Sequence, residues 1–354
     1  MSSVSVRKSS PAVIRPPEPA QAGTTIKLTC LDSAFVKVPP FTALLVFEEH
    51  LSRDATATIK GALSQALVHY SPFAGRISLS GADDGGGGGE GFSIRCTSEG
   101  VEFVAASADC GLEEAKIFDE YSYGSGGKPL LSVQVTEFFC GGLVVGVTWS
   151  HAVADGVGIA QFLAAVGELA RGSPSPSVVP ARWDEAVSGL PPLFNPVRQA
   201  MESSSPDDME LIVPLDVTVP WALINRIKAD LVTCTSFEAV LAVLWWCRVR
   251  GTGTTTTTRP VYLTFAANVR RHVGAKDGYY GNCVVNQLVV AAVASAGVVD
   301  LVRMIRRAKD QLLSEKLIKE EEDDEGGRLM MRGLSGRYDV LLRVVLEECW
   351  VRAG

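Results

Sequence analysis

The order of apolar and polar residues predicts alternating helices and strands in the first half of the chain. Apolar residues recur at helical spacing over 57–69, which predicts a helix that ends at Ser71-Pro72. Between residues 130 and 149, valines recur at every second position, which is typical of strands. Glycines in the middle of that stretch predict a turn, so we expect a core hairpin followed by a helix over 157–170. Weaker strand patterns lie at 4–15 and 26–29.

The second half repeats this mixture of helix and strand. Helices are predicted at 220–231, 236–250 and 299–319, and strands at 210–217, 261–267 and 283–290. Thr235 or Ser236 can cap the helix over 236–250, with Glu238 in its first turn, although Ser236 and Ala239 do not form a full capping box. Both halves therefore predict an α/β fold with mixed sheets.

A proline-rich stretch divides the chain. Eight prolines fall within residues 173–214, which is typical of a long ordered crossover between domains. At 354 residues, the chain also exceeds what one hydrophobic core usually organises. We therefore predict a first domain over 1–172 and a second over 215–354.

Composition narrows the possible functions. With 47% hydrophobic and 21% charged residues, the chain is globular in type. A net charge of −7 and the lack of a long basic run argue against a nucleic-acid partner. The most apolar stretch, 288–299, is too short to cross a bilayer, so no membrane partner is predicted. The eight scattered cysteines, without a CxxC pair, favour a reducing compartment, and with the lack of an apolar leader they predict a cytoplasmic protein.

The glycine run at 85–89 does not indicate nucleotide binding. It lies between two strand-like segments and lacks the sequence context of a phosphate-binding loop. A flexible hairpin loop is the simpler interpretation.

The candidate chemistry lies in the segment from Trp149 to Gly156. His151 follows the second hairpin strand and precedes a helix, which places its imidazole at the mouth of a loop. An ordinary histidine has a pKa near 6.5, so it can accept a proton at neutral pH and then release it. Small residues at Ala152 and Ala154 leave the ring unobstructed, and Gly156 permits a backbone turn. A purely structural histidine is the alternative interpretation.

His151, Asp155 and Gly156 form the pattern HxxxDG, which resembles the signature of the plant BAHD acyltransferases. Four further matches follow the family's order: HYSPFAGR at 69–76, the helix segment at 235–248, Asn268-Val269-Arg270, and GYYGN at 278–282. The resemblance therefore extends over most of the chain.

The resemblance implies two chloramphenicol-acetyltransferase-like domains with the active site in a channel between them. It implies transfer of an acyl group from acyl-CoA, as co-substrate, to an alcohol or amine of a plant specialised metabolite. His151 would be the catalytic base, with no metal and no permanently bound cofactor. Hydroxycinnamoyl, benzoyl and acetyl donors all stay open, and the family favours a monomer.

The resemblance also implies roles for other residues. Asp155 would pair with Arg270 and hold the histidine loop, with Gly156 as a further structural support. Tyr280 and Asn282 are candidates for the substrate or CoA pocket, although tight-turn geometry is an equal alternative for that segment.

One element of the family is not found in this sequence. The DFGWG motif that follows GYYGN in the family is absent, and the sequence ends at Gly354, so we expect an incomplete second domain. A catalytically impaired chain with only a binding role, or none, is therefore an alternative. A chloramphenicol-acetyltransferase-like or condensation-domain protein ranks lower, because Ser150 stands where those proteins often have a second histidine.

Overall fold

The structure is a computed structural model whose contacts divide the chain into two units. The first unit comprises residues 1–190 and 273–283, and the second comprises 191–272 and 284–354. The segment 273–283, which the sequence assigned to the second domain, thus lies with the first unit, while the boundaries at 172 and 214 stay predictions. The structure describes residues 5–19, 24–48, 54–80, 91–112, 129–182, 213–231, 233–251, 261–291, 296–311 and 340–346. The glycine run at 85–89 lies outside these ranges.

The first unit is built around a mixed β-sheet. Its strands are β1 (Val6–Lys8), β2 (Ala12–Ile14), β3 (Thr25–Lys27), β4 (Phe41–Phe47), β5 (Arg76–Ser80), β6 (Gly91–Arg95), β7 (Val101–Ala108), β8 (Leu131–Phe138) and β9 (Leu143–Trp149). Six of them form a sheet in the order β1-β7-β8-β9-β4, with β2 also paired to β7. Only β7 and β8 pair in parallel within that sheet, and β3, β6 and β5 form a separate antiparallel sheet.

Two long helices cover the large sheet. The helical segments are α1 (Cys30–Ser33), α2 (Ala55–His69), a 3₁₀ turn (Ser71–Ala74) and α3 (Gly156–Ala170). Helices α2 and α3 pack together, and their apolar faces share one core with β8 and β9. Each fully buried leucine or phenylalanine in such a core contributes about 1.5–3 kcal/mol. The predicted helices over 57–69 and 157–170 are confirmed, each starting one or two residues earlier than expected.

The predicted hairpin is also confirmed, and its second strand, β9, is enclosed by the fold. Strand β9 runs between β8 and β4, with Trp149 opposite both Leu131 and Phe41. All of its residues except Thr148 are buried, as expected for a strand covered on both faces. The indole of Trp149 donates to the carbonyl oxygen of Ala154 at 2.9 Å. The end of β9 is therefore held by neighbouring strands on both sides, and the loop that follows starts from a fixed position.

The amino end of α3 touches the backbone of the segment 278–283. A Cβ atom on Gly158 would overlap with the carbonyl oxygen of Tyr280 and crowd Ala154. A Cβ atom on Gly156 would meet nothing within 4 Å, and Gly156 does not have a positive φ. The sequence assigned the requirement for glycine to Gly156, but the close approach lies at Gly158.

The second unit contains three described helices and two described strand pairs. The helices are α4 (Trp221–Ala229), α5 (Ser236–Gly251) and α6 (Val298–Gln311), and the strands are β10 (Val213–Val219), β11 (Val261–Asn268), β12 (Val284–Ala291) and β13 (Val340–Leu346). Strands β10 and β13 pair in parallel, and β11 and β12 are antiparallel. The predicted elements are confirmed here, although residues 312–319 of the third predicted helix lie outside the described ranges.

Helix α5 has a fuller cap than the sequence predicted. The Oγ1 atom of Thr235 accepts from the amide of Glu238 at 3.2 Å, and Glu238 accepts from the amide of Thr235 at 3.0 Å. This is a complete capping box that starts one residue before Ser236. Burial alone would raise the pKa of Glu238, but Lys309 at 2.7 Å and Arg306 at 3.4 Å help to lower it. One carboxylate therefore joins α5 to α6.

Replacing Gly158 by alanine is expected to destabilise the first unit, because the new methyl group overlaps a backbone atom. Such overpacking typically costs about 1–3 kcal/mol, which thermal melting by circular dichroism would detect as a lower Tm. The matched control is Gly156→Ala in the same helix, where the methyl group meets open space and stability should change by less than about 0.5 kcal/mol. Equal melting temperatures for the two variants would contradict this packing.

Candidate active site

His151 lies two residues beyond the end of β9, in the loop that leads to α3. Its imidazole stacks on Phe35, with 4.0 Å between ring centroids, and meets the edge of Phe41 at 4.6 Å. Phe41 reaches the histidine because β4 pairs with β9, where Phe41 is opposite Trp149. Neither phenylalanine was singled out from the sequence, because only strand pairing brings residues near 40 next to residues near 150.

The surroundings of His151 favour the neutral form of the ring. Burial lowers the pKa of His151 below its ordinary value of 6.5, and the nearby Asp155, Asn282 and Asp32 raise it by less. Neutral imidazole is therefore the main form at pH 7, and only the neutral form can accept a proton.

The two ring nitrogens of His151 have different surroundings. Nδ1 is buried and has no hydrogen-bond partner within the described part of the chain, and the same holds for Oδ1 of Asn282. The two side chains fall short of full hydrogen-bond geometry, yet Asn282 is near enough to raise the pKa of the ring. Because Nδ1 is enclosed, Nε2 is the nitrogen through which the half-buried ring can reach a substrate.

Asp155 ties the histidine loop to two other segments. Its Oδ1 atom accepts from the amide of Gly158 at 2.9 Å, which caps α3, and its Oδ2 atom accepts from the amide of Cys283 at 3.0 Å. A carboxylate is favoured at a helix amino end by the orientation of the peptide dipoles. Asp155 is 1% exposed, so its carboxylate does not face solvent.

The predicted partner of Asp155 lies in the second unit. The amide of Arg270 donates to Oδ1 of Asn268 at 3.0 Å, in the turn after β11. Pairing between Asp155 and Arg270 would join residues of the two units, and it stays a prediction.

Three successive carbonyl groups of the histidine loop accept hydrogen bonds from side chains outside it. The Nδ2 atom of Asn282 donates to the carbonyl oxygen of His151 at 2.7 Å. The guanidinium of Arg182 donates to Val153 at 3.2 Å and to Ala152 at 3.4 Å. The backbone that carries His151 is therefore fixed from two sides.

Asp32 connects these two donors. Its Oδ1 atom accepts from the amide of Asn282 at 3.0 Å and from Nδ2 of the same residue at 2.8 Å. Its Oδ2 atom forms an ion pair with Arg182 at 3.0 Å and also accepts from the hydroxyl of Thr29 at 2.7 Å. Asp32 is 0% exposed and Arg182 is 4% exposed, so the pair is buried. Burial alone would lower the pKa of Arg182, but Asp32 raises it and keeps the guanidinium charged.

Asp32 and Arg182 were not predicted as site residues from the sequence. The spacing of Thr29 and Asp32 indicates a capping box, which the structure contains at the start of α1. That spacing marks a helix start and gives no hint that the carboxylate is buried against a residue 250 positions away, Asn282. Arg182 follows a proline-rich stretch in which no chemical motif marks it.

The two pocket candidates of the second half lie inside the first unit. Tyr280 is 1% exposed, and its ring packs against Tyr70 at 4.9 Å and Phe73 at 6.0 Å. Asn282 is 0% exposed and holds the histidine loop. In the first unit Tyr280 therefore packs in the core and Asn282 holds the histidine loop, while a place for either residue in the substrate or CoA pocket stays a prediction. The positive φ of this turn, 82°, is at Gly278.

Metal clusters and membrane-spanning helices are both absent from the described ranges. There, no cluster of three or more histidine, cysteine, aspartate or glutamate side chains is arranged to hold a metal ion. Each helix in those ranges is too short or too polar to cross a membrane.

Solved structures with a similar fold support the fold class. The chain superposes on the crystal structure of vinorine synthase with a TM-score of 0.68 and 22% identity, covering 96% of this chain and 83% of that one. The crystal structure of TRI101 from F. sporotrichioides, complexed with coenzyme A and T-2, gives a TM-score of 0.59 and 13% identity, with 91% and 83% covered. The chain therefore has the mixed α/β fold of these proteins, as predicted.

Sequence comparisons identify the family. The profile of the Transferase family matches residues 4–350. Acyl transferase 15 of Oryza sativa subsp. japonica is 44% identical, over 96% of this chain and 80% of the relative. A myricetin 3-O-glucosyl 1,2-rhamnoside 6'-O-caffeoyltransferase, AT2 of Crocosmia x crocosmiiflora, is 34% identical over 88% of this chain and 78% of the relative. The chain is thus an acyltransferase that transfers groups other than aminoacyl groups. It belongs to the Transferase family, the BAHD acyltransferases of plants.

Proposed function

We propose that this chain transfers an acyl group from an acyl-CoA thioester to an alcohol or amine of a plant specialised metabolite, with His151 as the general base. The observation that carries the proposal is the state of the imidazole, which is half-buried, held at pH 7 in its neutral form, and enclosed at Nδ1. Such a ring can accept a proton through Nε2 without first losing one of its own.

The proposed reaction needs only the base and two bound substrates. Nε2 of His151 accepts the proton of the acceptor O–H or N–H as the acceptor atom attacks the thioester carbonyl. The C–S bond then breaks, and the CoA thiolate takes the proton back from the imidazolium. Proton and charge balance over the cycle, and the fixed loop keeps the base within reach of the acceptor.

The chemical class of the donor is the finer part of the proposal. AT2 and AT1 of Crocosmia x crocosmiiflora, which are 34% and 32% identical to this chain, are named caffeoyltransferases. Phe35 and Phe41 add apolar surface beside His151, and Phe41 is 43% exposed. These features support an aromatic donor such as a hydroxycinnamoyl-CoA, with benzoyl-CoA and acetyl-CoA as the next candidates. TRI101, whose fold is similar, was crystallised with coenzyme A, which supports CoA as the carrier.

Replacing His151 by alanine is expected to lower kcat/KM by about 10²–10⁴, because the acceptor proton loses its base. The assay is thiol release from hydroxycinnamoyl-, benzoyl- and acetyl-CoA against a panel of alcohols and amines. His69→Ala, at an exposed histidine in the last turn of α2, is the matched control and should retain full activity.

Two results would contradict the proposal. Undiminished turnover by His151→Ala would show that another group takes the proton. A wild-type chain that melts cooperatively yet releases no CoA from any pair would favour the alternative of a binding role without catalysis.

The activity should depend on pH through the imidazole of His151. A base is active only when unprotonated, so kcat/KM should fall as the pH drops through the pKa of His151. Because burial lowers that pKa below 6.5, the midpoint of the acid limb should lie below pH 6.5. Asp155→Asn removes a charge that raises the pKa and retains a good helix cap, so it should move the limb to lower pH. A limb centred above pH 6.5, or moved upward by Asp155→Asn, would show that His151 is not the titrating base.

A further inference from the structure

Two buried polar atoms, one on the proposed base and one on a residue beside it, have no hydrogen-bond partner within the described residues. These are Nδ1 of His151 and Oδ1 of Asn282. A buried polar atom without a partner is costly, because it has given up its water and gained nothing in return. The two residues are already in contact, since Nδ2 of Asn282 donates to the carbonyl oxygen of His151 at 2.7 Å. Asn282 also lies close enough to the ring to raise the pKa of His151, so its amide oxygen is the candidate acceptor for a proton on Nδ1.

The orientation of the Asn282 amide is set by its other contacts. Its Nδ2 atom lies 2.8 Å from Oδ1 of Asp32 and 2.7 Å from the carbonyl oxygen of His151. Both neighbours are oxygens that only accept hydrogen bonds, so a flipped amide would place its own oxygen against two acceptors. Oδ1 of Asn282 is therefore the atom left over, and it is available only to a donor.

Asp32 maintains this orientation, because its carboxylate accepts hydrogen bonds from several donors at once. The carboxylate pairs with the buried guanidinium of Arg182 at 3.0 Å and accepts from the backbone amide of Asn282 at 3.0 Å. Thr29 donates to the other side of the carboxylate through its amide and its hydroxyl. The carboxylate thus acts as an acceptor toward every neighbour, and the amide can face it only with its NH₂ group.

We propose that Asn282 is a positioning residue that accepts the Nδ1–H of His151, and that the Arg182–Asp32 pair holds its amide in the orientation this requires. The proton of the neutral ring then resides on Nδ1, and Nε2 carries the lone pair. The same amide fixes the backbone of His151 through Nδ2, so one side chain sets both the place of the ring and its tautomer. The catalytic consequence rests on the proposed role of His151 as the base.

Another acceptor competes for the same proton. The carbonyl oxygen of His151 lies near its own ring and contributes to raising the pKa of His151. That oxygen already accepts from Asn282, which leaves it less able to hold the ring proton as well. The proposal and this competitor differ in what happens when the amide of Asn282 is removed.

The direct test is the tautomer of His151 in the full chain, observed by long-range ¹H–¹⁵N correlation at a pH above the ring pKa. The chain has four histidines, so loss of one signal set in His151→Gln assigns the ring. We expect a protonated Nδ1 and an unprotonated Nε2 in the wild type. A protonated Nε2 in the wild type would overturn the proposal without any variant having to fold.

The variant Asn282→Leu removes the amide at a similar side-chain volume. We expect the Nε2–H tautomer to become populated and kcat to fall by about 10-fold to 100-fold, with a smaller change in KM for acyl-CoA. The acid limb of kcat/KM should move to lower pH, because one contribution that raises the pKa of His151 is lost while Asp155, Asp32 and Arg182 stay in place. An unchanged Nδ1–H tautomer in this variant would assign the ring proton to the backbone carbonyl and overturn the role of Asn282.

Gln161→Leu is the matched control for general loosening of the structure. The amide of Gln161 bridges α3 to the same 273–283 segment, donating to Gly278 at 3.0 Å and to the hydroxyl of Tyr70 at 3.2 Å, and it does not contact His151. Gln161→Leu should lower Tm, as Asn282→Leu does. It should leave unchanged both the tautomer of His151 and the acid limb of kcat/KM. If both variants change the tautomer of His151 and the acid limb equally, Asn282 has only a structural role.

The same measurements separate this proposal from the proposed function. If His151→Ala retains activity while the tautomer depends on Asn282, the catalytic role fails and the positioning role stands. If His151→Ala is inactive while Asn282→Leu leaves the tautomer and kcat unchanged, the base assignment stands and the positioning role fails.

Discussion

The buried carboxylate of Asp32 is the interaction on which the candidate site depends. It binds the guanidinium of Arg182, both nitrogens of Asn282 and the capping residue Thr29, so three distant parts of the chain meet at one group. Burying a charge is costly unless it is paired and hydrogen-bonded, and removing one partner of such a pair typically costs about 3–5 kcal/mol. Because Asp32 is 0% exposed, each donor that it binds contributes to compensating its buried charge.

Further contacts hold the loop that carries His151. Strand β9 enters the loop from the middle of a sheet, and Asp155 anchors the loop exit to α3 and to Cys283. Gly158 lets α3 begin in contact with the backbone of Tyr280, which brings Asn282 within reach of the loop. The backbone of the candidate base is thus held by several contacts, and its ring packs against Phe35 and Phe41.

Opposing electrostatic effects set the chemistry of the imidazole. Two carboxylates, Asp32 and Asp155, lie close enough to favour the charged ring, yet burial outweighs them and lowers the pKa of His151. Arg182 neutralises much of the charge of Asp32 through a direct ion pair. The ion pair therefore also limits how far Asp32 raises the pKa of His151. Structure and reactivity depend here on the same few contacts.

The sequence by itself determined most of the elements and singled out the candidate base. Apolar periodicity predicted α2, α3 and the β8–β9 hairpin, because strand and helix periods are local properties. The HxxxDG pattern singled out His151 and Asp155, because its residues are neighbours in the chain.

Only the tertiary structure decided which distant residues surround the candidate base. Strand β4 and its Phe41 were not predicted, since a short apolar run is ambiguous between strand and helix until it finds a partner strand. Asp32, Arg182 and the supporting role of Asn282 depend on burial and on contacts between residues up to 250 positions apart. Local patterns describe what one segment can form alone, whereas a buried charge selects its partners from whatever the folded chain brings within about 3 Å, a hydrogen-bonding distance.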